Sequence, residues 1–275
     1  MIGTKVARAV GLAALALTVA GCGGGARERL QFQEEPVAQL YNRGADFLDR
    51  RRWAEASAAF EEVERQHPYS AWARRSILMT AYAKYQSNRY QEAVDAAQRF
   101  VSLHPGNESA PYAYYLIALC YFEQILDVGR DQATTQQALN ALQEVVRRYP
   151  ESDYARDARL KLDMTYDQLA GKEMDVGRFY LNQGQTLGAI NRFRRVIEED
   201  NFQRTSHAPE ALHRLVEAYL TMGMTQEAQR TAAVLGYNFP GSPWYQRSYA
   251  LLTGRGVQPV SEGEARERGW LSRLF

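Results

Sequence analysis

Apolar residues recur along most of this chain with the spacing of an α-helix, without strand-like alternation. In five segments a small residue precedes an apolar or small one by four positions: Ala56/Phe60, Ala93/Ala97, Ala138/Leu142, Ala189/Phe193 and Ala228/Ala232. A proline follows the first residue of four of these pairs by twelve positions, and Asn201 stands there in the remaining segment. Small side chains let two helices approach closely, and proline ends a helix. The pattern therefore predicts repeated helix pairs.

The repeats are typical of tetratricopeptide (TPR) arrays, whose unit is about 34 residues. Small residues also precede bulky ones by three positions upstream, as in Gly44/Phe47 and Gly177/Tyr180. We expect an all-α fold, an α-solenoid of about five tetratricopeptide-like helix pairs over residues 36–252, stabilised by stacking of neighbouring repeats. The uneven spacing predicts a polar loop at 127–132 and a long helix from about Tyr154 to Tyr180.

The first 21 residues have the pattern of a cleaved lipoprotein signal peptide. Lys5 and Arg8 precede an uncharged run over 9–20, which is short for a membrane span. The run leads into Val-Ala-Gly-Cys, which resembles the bacterial lipobox, and predicts S-diacylglycerol and N-acyl groups on Cys22. Residues 22–35 then form the lipidated N-terminus and a tether. The alternative is an ordinary signal peptide with an incidental cysteine. Aspartate after the lipidated cysteine commonly retains such lipoproteins in the inner membrane, but position 23 is glycine. The resemblance to the lipobox therefore points to the outer membrane of a Gram-negative bacterium, at its periplasmic face.

Composition argues against several functions. The chain has 33 Lys+Arg against 32 Asp+Glu and a net charge of +1, which does not favour nucleic-acid binding. Besides Cys22 there is only Cys120, in an apolar run where we expect a buried thiol. His207 and His213 are six apart, which does not place them on one helical face. Nucleotide, hydrolase and metal motifs are absent, so we expect no enzyme and no cofactor apart from the covalent lipid.

Two surfaces are candidates for binding. Tyrosines are concentrated in the first helices of repeats two and three, and Tyr82 and Tyr85, with Arg74 nearby, suit an extended peptide with aromatic side chains and a carboxylate. Repeat four has a basic second helix with Arg192, Arg194 and Arg195. These arginines are either ordinary solvated charge or a contact for an acidic patch on a partner.

Together these features resemble the BamD family, lipoprotein subunits of the outer-membrane β-barrel assembly machinery. The strings that carry the likeness are EEVERQHPYS at 61–70, RFVSLHP at 99–105, DVGRD at 127–131 and AINRF at 189–193. The resemblance covers about Cys22 to Leu252. It does not include residues 253–275, which we expect to be a flexible tail with an apolar end that docks a partner or packs on the last repeat.

The resemblance implies a scaffold that aids the assembly and insertion of β-barrel proteins into the outer membrane. The implied partners are the POTRA domains of the barrel subunit BamA, other lipoproteins of the complex, and unfolded barrel substrates. On this basis we expect Arg192 and Arg195 to contact BamA, and Tyr82, Tyr85 and Arg74 to belong to a substrate groove. The rival interpretations are another periplasmic, lipid-anchored TPR adaptor, for cell-wall or division assembly, and a lipid-anchored enzyme or metal protein.

Overall fold

The computed structural model describes residues 35–259, so Cys22, the signal peptide and the apolar end of the tail lie outside the described residues. The described part contains eleven α-helices and no strand. The helices are α1 (Val37–Asp49), α2 (Trp53–Gln66), α3 (Ala71–Gln86), α4 (Tyr90–Leu103), α5 (Ala110–Phe122), α6 (Ala133–Arg148), α7 (Asp153–Asn182), α8 (Thr186–Glu198), α9 (Ala208–Thr221), α10 (Thr225–Asn238) and α11 (Pro243–Gly254).

The first ten helices form five consecutive antiparallel pairs, and each helix packs mainly on the helices before and after it. The predicted all-α solenoid of five pairs is therefore confirmed. The sequence pattern did not separate α11 from the preceding repeat, and this helix follows the fifth pair and packs on α9 and α10. The predicted long helix is α7, with 30 residues.

The small residues of the repeat lie where two helices of a pair come closest. A Cβ added at Gly44 of α1 would lie 2.7 Å from the Phe60 ring of α2, and one at Gly177 of α7 would overlap the Phe193 ring of α8. Both phenylalanines are fully buried. The small-then-apolar pairs of the second helices are buried in all five repeats. The glycines thus make room for aromatic rings from the partner helix.

Four second helices end in the same way. The residue before each proline has φ near −130° and ψ near 55°; these residues are His67, His104, Tyr149 and Phe239. These angles lie outside the α-helical region, which a following proline disfavours. After α8, which has Asn201 in place of proline, Glu199 has a different conformation, with φ −84° and ψ 116°. Pro68, Pro150 and Pro240 are each followed two positions later by a serine that caps the next helix.

Helix α7 joins two parts of the array because its halves have different neighbours. Its first half packs on α6 through Ala155, Ala158 and Leu162. Its second half packs on α8 through Ala170 and Met174. The polar loop predicted between α5 and α6 lies against the middle of α7, where Gln168 Nε2 donates to the Leu126 carbonyl at 2.7 Å.

Candidate functional site

Five partly buried tyrosines from α3, α5 and α7 lie together and are called here the tyrosine face: Tyr82, Tyr85, Tyr112, Tyr115 and Tyr154. The Tyr154 ring centroid lies 5.6 Å from that of Tyr112 and 5.4 Å from that of Tyr115. Tyr112, Tyr82 and Tyr85 all pack against the same buried cluster, formed by residues of α3, α4 and α5. The predicted pair Tyr82 and Tyr85 therefore belongs to a surface that crosses three repeats.

Burial favours the neutral form of three hydroxyl groups on the tyrosine face, those of Tyr85, Tyr112 and Tyr115. Burial raises the pKa of Tyr85 to about 12, with a further contribution from the nearby Glu123 carboxylate. Burial also raises the pKa of Tyr112 and of Tyr115. The Tyr115 hydroxyl donates to Asp157, and this bond lowers the pKa of that carboxyl group. The surface thus offers aromatic rings and phenolic O–H groups, which suit a ligand with apolar side chains and unpaired backbone carbonyls.

Arg74 does not join the tyrosine face but lies further along the same helix. It lines a cavity of about 440 Å³ between α3 and the α4–α5 loop, and Arg75 and Glu108 also belong to the lining. Leu78, Met79 and Phe100 supply apolar walls. Eleven residues separate Arg74 from Tyr85, which is about 16 Å along the helix and nearly the same angular position. Both arginines are exposed, so the cavity can receive a carboxylate next to an apolar group.

The structure also adds one tyrosine, Tyr154, that the sequence analysis did not assign to a binding surface. Tyr154 was missed because it lies in repeat four, outside the two repeats where tyrosines are concentrated. Its place in the first turn of α7, which packs on α5 and α6, brings it to the tyrosine face.

The arginines of α8 are held by a carboxylate of α7. Arg192 Nη1 lies 3.1 Å and Arg195 Nη1 2.7 Å from the two oxygens of Glu173, whose side chain is only 12% exposed. Arg194 pairs separately with Glu198 of its own helix. Half of the Arg195 side chain is exposed, whereas Arg192 is more enclosed. Glu173 therefore fixes both guanidinium groups in place while leaving part of each accessible.

The two histidines in the second part of the array, His207 and His213, each contact a polar side chain of another helix. His213 is buried between α9 and α11, with Nδ1 2.8 Å from the Ser248 hydroxyl and its ring 5.3 Å from that of Trp244. His207 Nε2 lies 3.5 Å from Asp167. Within residues 35–259 no group of three or more His, Cys, Asp or Glu side chains is placed to hold a metal ion. Cys120 is buried, and burial raises the pKa of its thiol to about 12.

None of the helices described here has the length and apolar character needed to cross a membrane. Solved structures of TPR proteins cover most of the chain. One is a thermophilic TPR protein from Thermus thermophilus, at 18% identity and a TM-score of 0.37, covering 79% of this chain and 100% of that one.

Sequence comparisons identify closer relatives. The sequence profile of the family described as "YfiO: Outer membrane lipoprotein" matches residues 33–235. A Caulobacter vibrioides protein named "Outer membrane protein assembly factor BamD" is 62% identical over 90% of this chain and 81% of its own length. A protein of the same name from Rickettsia prowazekii is 44% identical over 79% of this chain and 86% of its own length. This chain therefore belongs to the YfiO family of outer membrane lipoproteins, which includes the BamD assembly factors.

Proposed function

We propose that this chain is a non-enzymatic scaffold that aids the assembly and insertion of β-barrel proteins into the outer membrane. Cys22 carries the lipid, and the repeats lie at the periplasmic face. The partners are a BamA-type barrel subunit, bound through its POTRA domains, other lipoproteins of the complex and unfolded outer-membrane proteins. The observation that supports substrate binding most directly is that α3 carries both part of the tyrosine face and the two arginines that line the cavity.

The proposed substrate is the end of an unfolded barrel strand. Such a segment has unpaired backbone groups, alternating apolar side chains and, at its end, an aromatic residue with a free carboxylate. Arg74 and Arg75 bind the carboxylate, and the apolar walls of the cavity receive the terminal ring. The tyrosine face then contacts the preceding residues. At about 3.3 Å per extended residue, the 16 Å between Arg74 and Tyr85 corresponds to about five residues of peptide.

Fluorescence anisotropy with a labelled peptide tests this proposal. The peptide is about ten residues long, ends in phenylalanine and has a free C-terminus. We expect Arg74→Gln, Tyr82→Ala and Tyr85→Ala each to weaken binding. Amidation of the peptide should weaken binding about tenfold or more, because a charged hydrogen-bond partner is lost.

Matched variants outside the site provide the controls. Arg204→Gln removes an exposed arginine of the α8–α9 loop, and Tyr237→Ala removes a partly exposed tyrosine of α10. Both should bind the peptide as the parent protein does. Equal binding of the amidated peptide, or equal losses in the control variants, would contradict a substrate site on α3.

The proposed contact for the BamA-type subunit is the pair Arg192 and Arg195. An acidic side chain of that subunit approaches the exposed part of the two guanidinium groups, which Glu173 already orients. Because fewer rotamers have to be fixed on binding, this preorganisation favours association. Reversing the charge with Arg192→Glu should weaken binding to the purified POTRA domains about 30-fold or more.

A second variant distinguishes a direct contact with the partner from the ion pairs between the arginines and Glu173. Arg192→Glu also loses the ion pair with Glu173, so lower binding alone does not identify a direct contact. Glu173→Gln removes the brace and keeps both arginines. We expect it to weaken binding less than Arg192→Glu does and to keep its helicity. If Glu173→Gln and Arg192→Glu reduce binding equally, the arginines act through the packing of α7 on α8, and the proposed contact is wrong.

Affinity purification of the lipidated protein from solubilised outer membranes tests the wider assignment. A stoichiometric barrel protein with periplasmic domains is the expected result. Cell-wall or division proteins in its place would favour the rival adaptor function and overturn the assembly role.

A further inference from the structure

All residues with a left-handed backbone in the described part of the chain occupy one position of the repeat. They are Arg51, Asn88, Gly184, Gly223 and Gly256, each two positions after the last residue of a helix. In the first four cases that helix is the first of a pair, and the second helix begins two positions later. Helix α11 ends in the same way, so it has the ending of the first helix of a repeat.

The hydrogen bonds after α11 repeat those of the complete pairs. The Arg52 amide donates to the Phe47 carbonyl at 2.8 Å, and the Met224 amide donates to Tyr219 at 2.9 Å. In the same relative position the Val257 amide donates to Leu252 at 3.0 Å. Gln229 of α10 then donates to the Gln258 carbonyl at 2.7 Å. The chain thus reaches position 258 with the geometry that precedes a second helix.

The face of α11 that would meet a second helix is uncovered. Seven positions before the left-handed residue, the four pairs that contain one have Gly44, Ala81, Gly177 and Val216, and all four are buried. Tyr249 takes this position in α11 and is 48% exposed.

The second helices show which residue belongs opposite this position. Nine positions after the left-handed residue, the second helices of these four pairs have Phe60, Ala97, Phe193 and Ala232. Phenylalanine thus lies opposite each glycine, and alanine lies opposite Ala81 and Val216. The same count beyond Gly256 reaches Ala265, opposite the large Tyr249. Ser261 likewise takes the place of the small residue that begins each second-helix pair, whereas Arg268 replaces an apolar residue.

We propose that residues 260–271 cover this face of α11 as the second helix of a sixth repeat, with Ala265 against Tyr249. Together with Gln258 and Pro259, which are not helical and lead into it, the segment has the 14 residues of α2, α4 and α10. It adds apolar contacts to α11 and ends the array with a charged outer helix, as terminal repeats require.

Cysteine cross-linking in the full-length lipidated protein tests the pairing. Tyr249→Cys combined with Ala265→Cys should give an intramolecular disulfide under mild oxidation, because the two Cβ atoms would lie within bonding distance. Arg247→Cys combined with Ala265→Cys is the matched control, since position 247 lies about 200° away around the helix. The single-cysteine variants reveal any reaction with Cys120.

An internal disulfide in the first variant and little in the control supports the pairing. No disulfide, equal reaction in both variants, or a disulfide between two molecules would overturn it. The last result would identify a second copy of the protein as the occupant.

Exchanging the large and the small residue between positions 249 and 265 provides an independent test. Ala265→Phe should speed amide exchange in α11 about tenfold, and adding Tyr249→Gly should restore it by recreating the Gly44/Phe60 arrangement. Unchanged exchange in Ala265→Phe would also contradict the proposal.

Discussion

The effect of Gly177→Ala on the free energy of unfolding should depend on the residue at position 193. We expect a loss of stability with phenylalanine there and no loss with leucine. Alanine in a helix interior stabilises by about 1 kcal/mol relative to glycine. The added Cβ, however, would overlap the buried ring of Phe193. Overpacking of a filled core costs about 1–3 kcal/mol. With Phe193 present we therefore expect a net loss of up to about 2 kcal/mol in the free energy of unfolding.

Phe193→Leu removes the ring edge that the new Cβ meets. In this background Gly177→Ala should be neutral or stabilise by up to about 1 kcal/mol, because the helix preference of alanine remains and the overlap does not. The measurement is urea unfolding followed by far-UV circular dichroism for the four proteins of the cycle, with a coupling energy of about 1–3 kcal/mol expected. A Gly177→Ala effect that is the same with Phe and Leu at position 193 would refute size complementarity between first and second helices.

Three further predictions concern the turns, the tyrosine face and the buried thiol. Gly223→Ala should destabilise the protein by about 1–2 kcal/mol in the same assay, because the φ of Gly223, 74°, is left-handed. The added Cβ would meet no atom within 4 Å, so the backbone conformation alone accounts for this cost. An unchanged unfolding midpoint would show that the turn is not fixed in this conformation. Since the pKa of Tyr85 is raised to about 12, its neutral form stabilises the fold fully below pH 10 and less as the pH rises from about 10 to 12; Tyr85→Phe should lessen this loss of stability, and equal slopes would contradict the assignment. Cys120 should react with a thiol reagent only after unfolding, because it is buried and its pKa is raised to about 12; rapid reaction of the native protein would show that the site opens.

Much of the fold was predictable because the decisive contacts are local. A small residue followed four positions later by an apolar or small one identifies the buried face of each second helix, and prolines at a constant distance identify where four of these helices end. The polar stretch at 127–132 and the long helix could be located for the same reason. Helix α11 could not be separated from repeat five, since its sequence lacks the small residue that accompanies helix pairing and has Tyr249 instead.

The candidate sites were only partly predictable. Tyr82 and Tyr85 were identifiable from the density of tyrosines, but their connection to Tyr154 depends on how α7 packs against α5. Arg192 and Arg195 were visible as a basic cluster, whereas nothing in their own helix indicates that Glu173 binds both. Periodicity specifies which side of a helix faces inward, but not which residue of another repeat meets it.

The sequence by itself determined the helices, their pairing and the faces they bury, because these depend on residue spacing within one repeat. Only the tertiary structure decided which side chains from different repeats share a surface, because the angle and offset between stacked pairs arise from the packing of many side chains together. For this reason Arg74 lies at a cavity away from the tyrosine face, and the arginines of α8 are braced by α7.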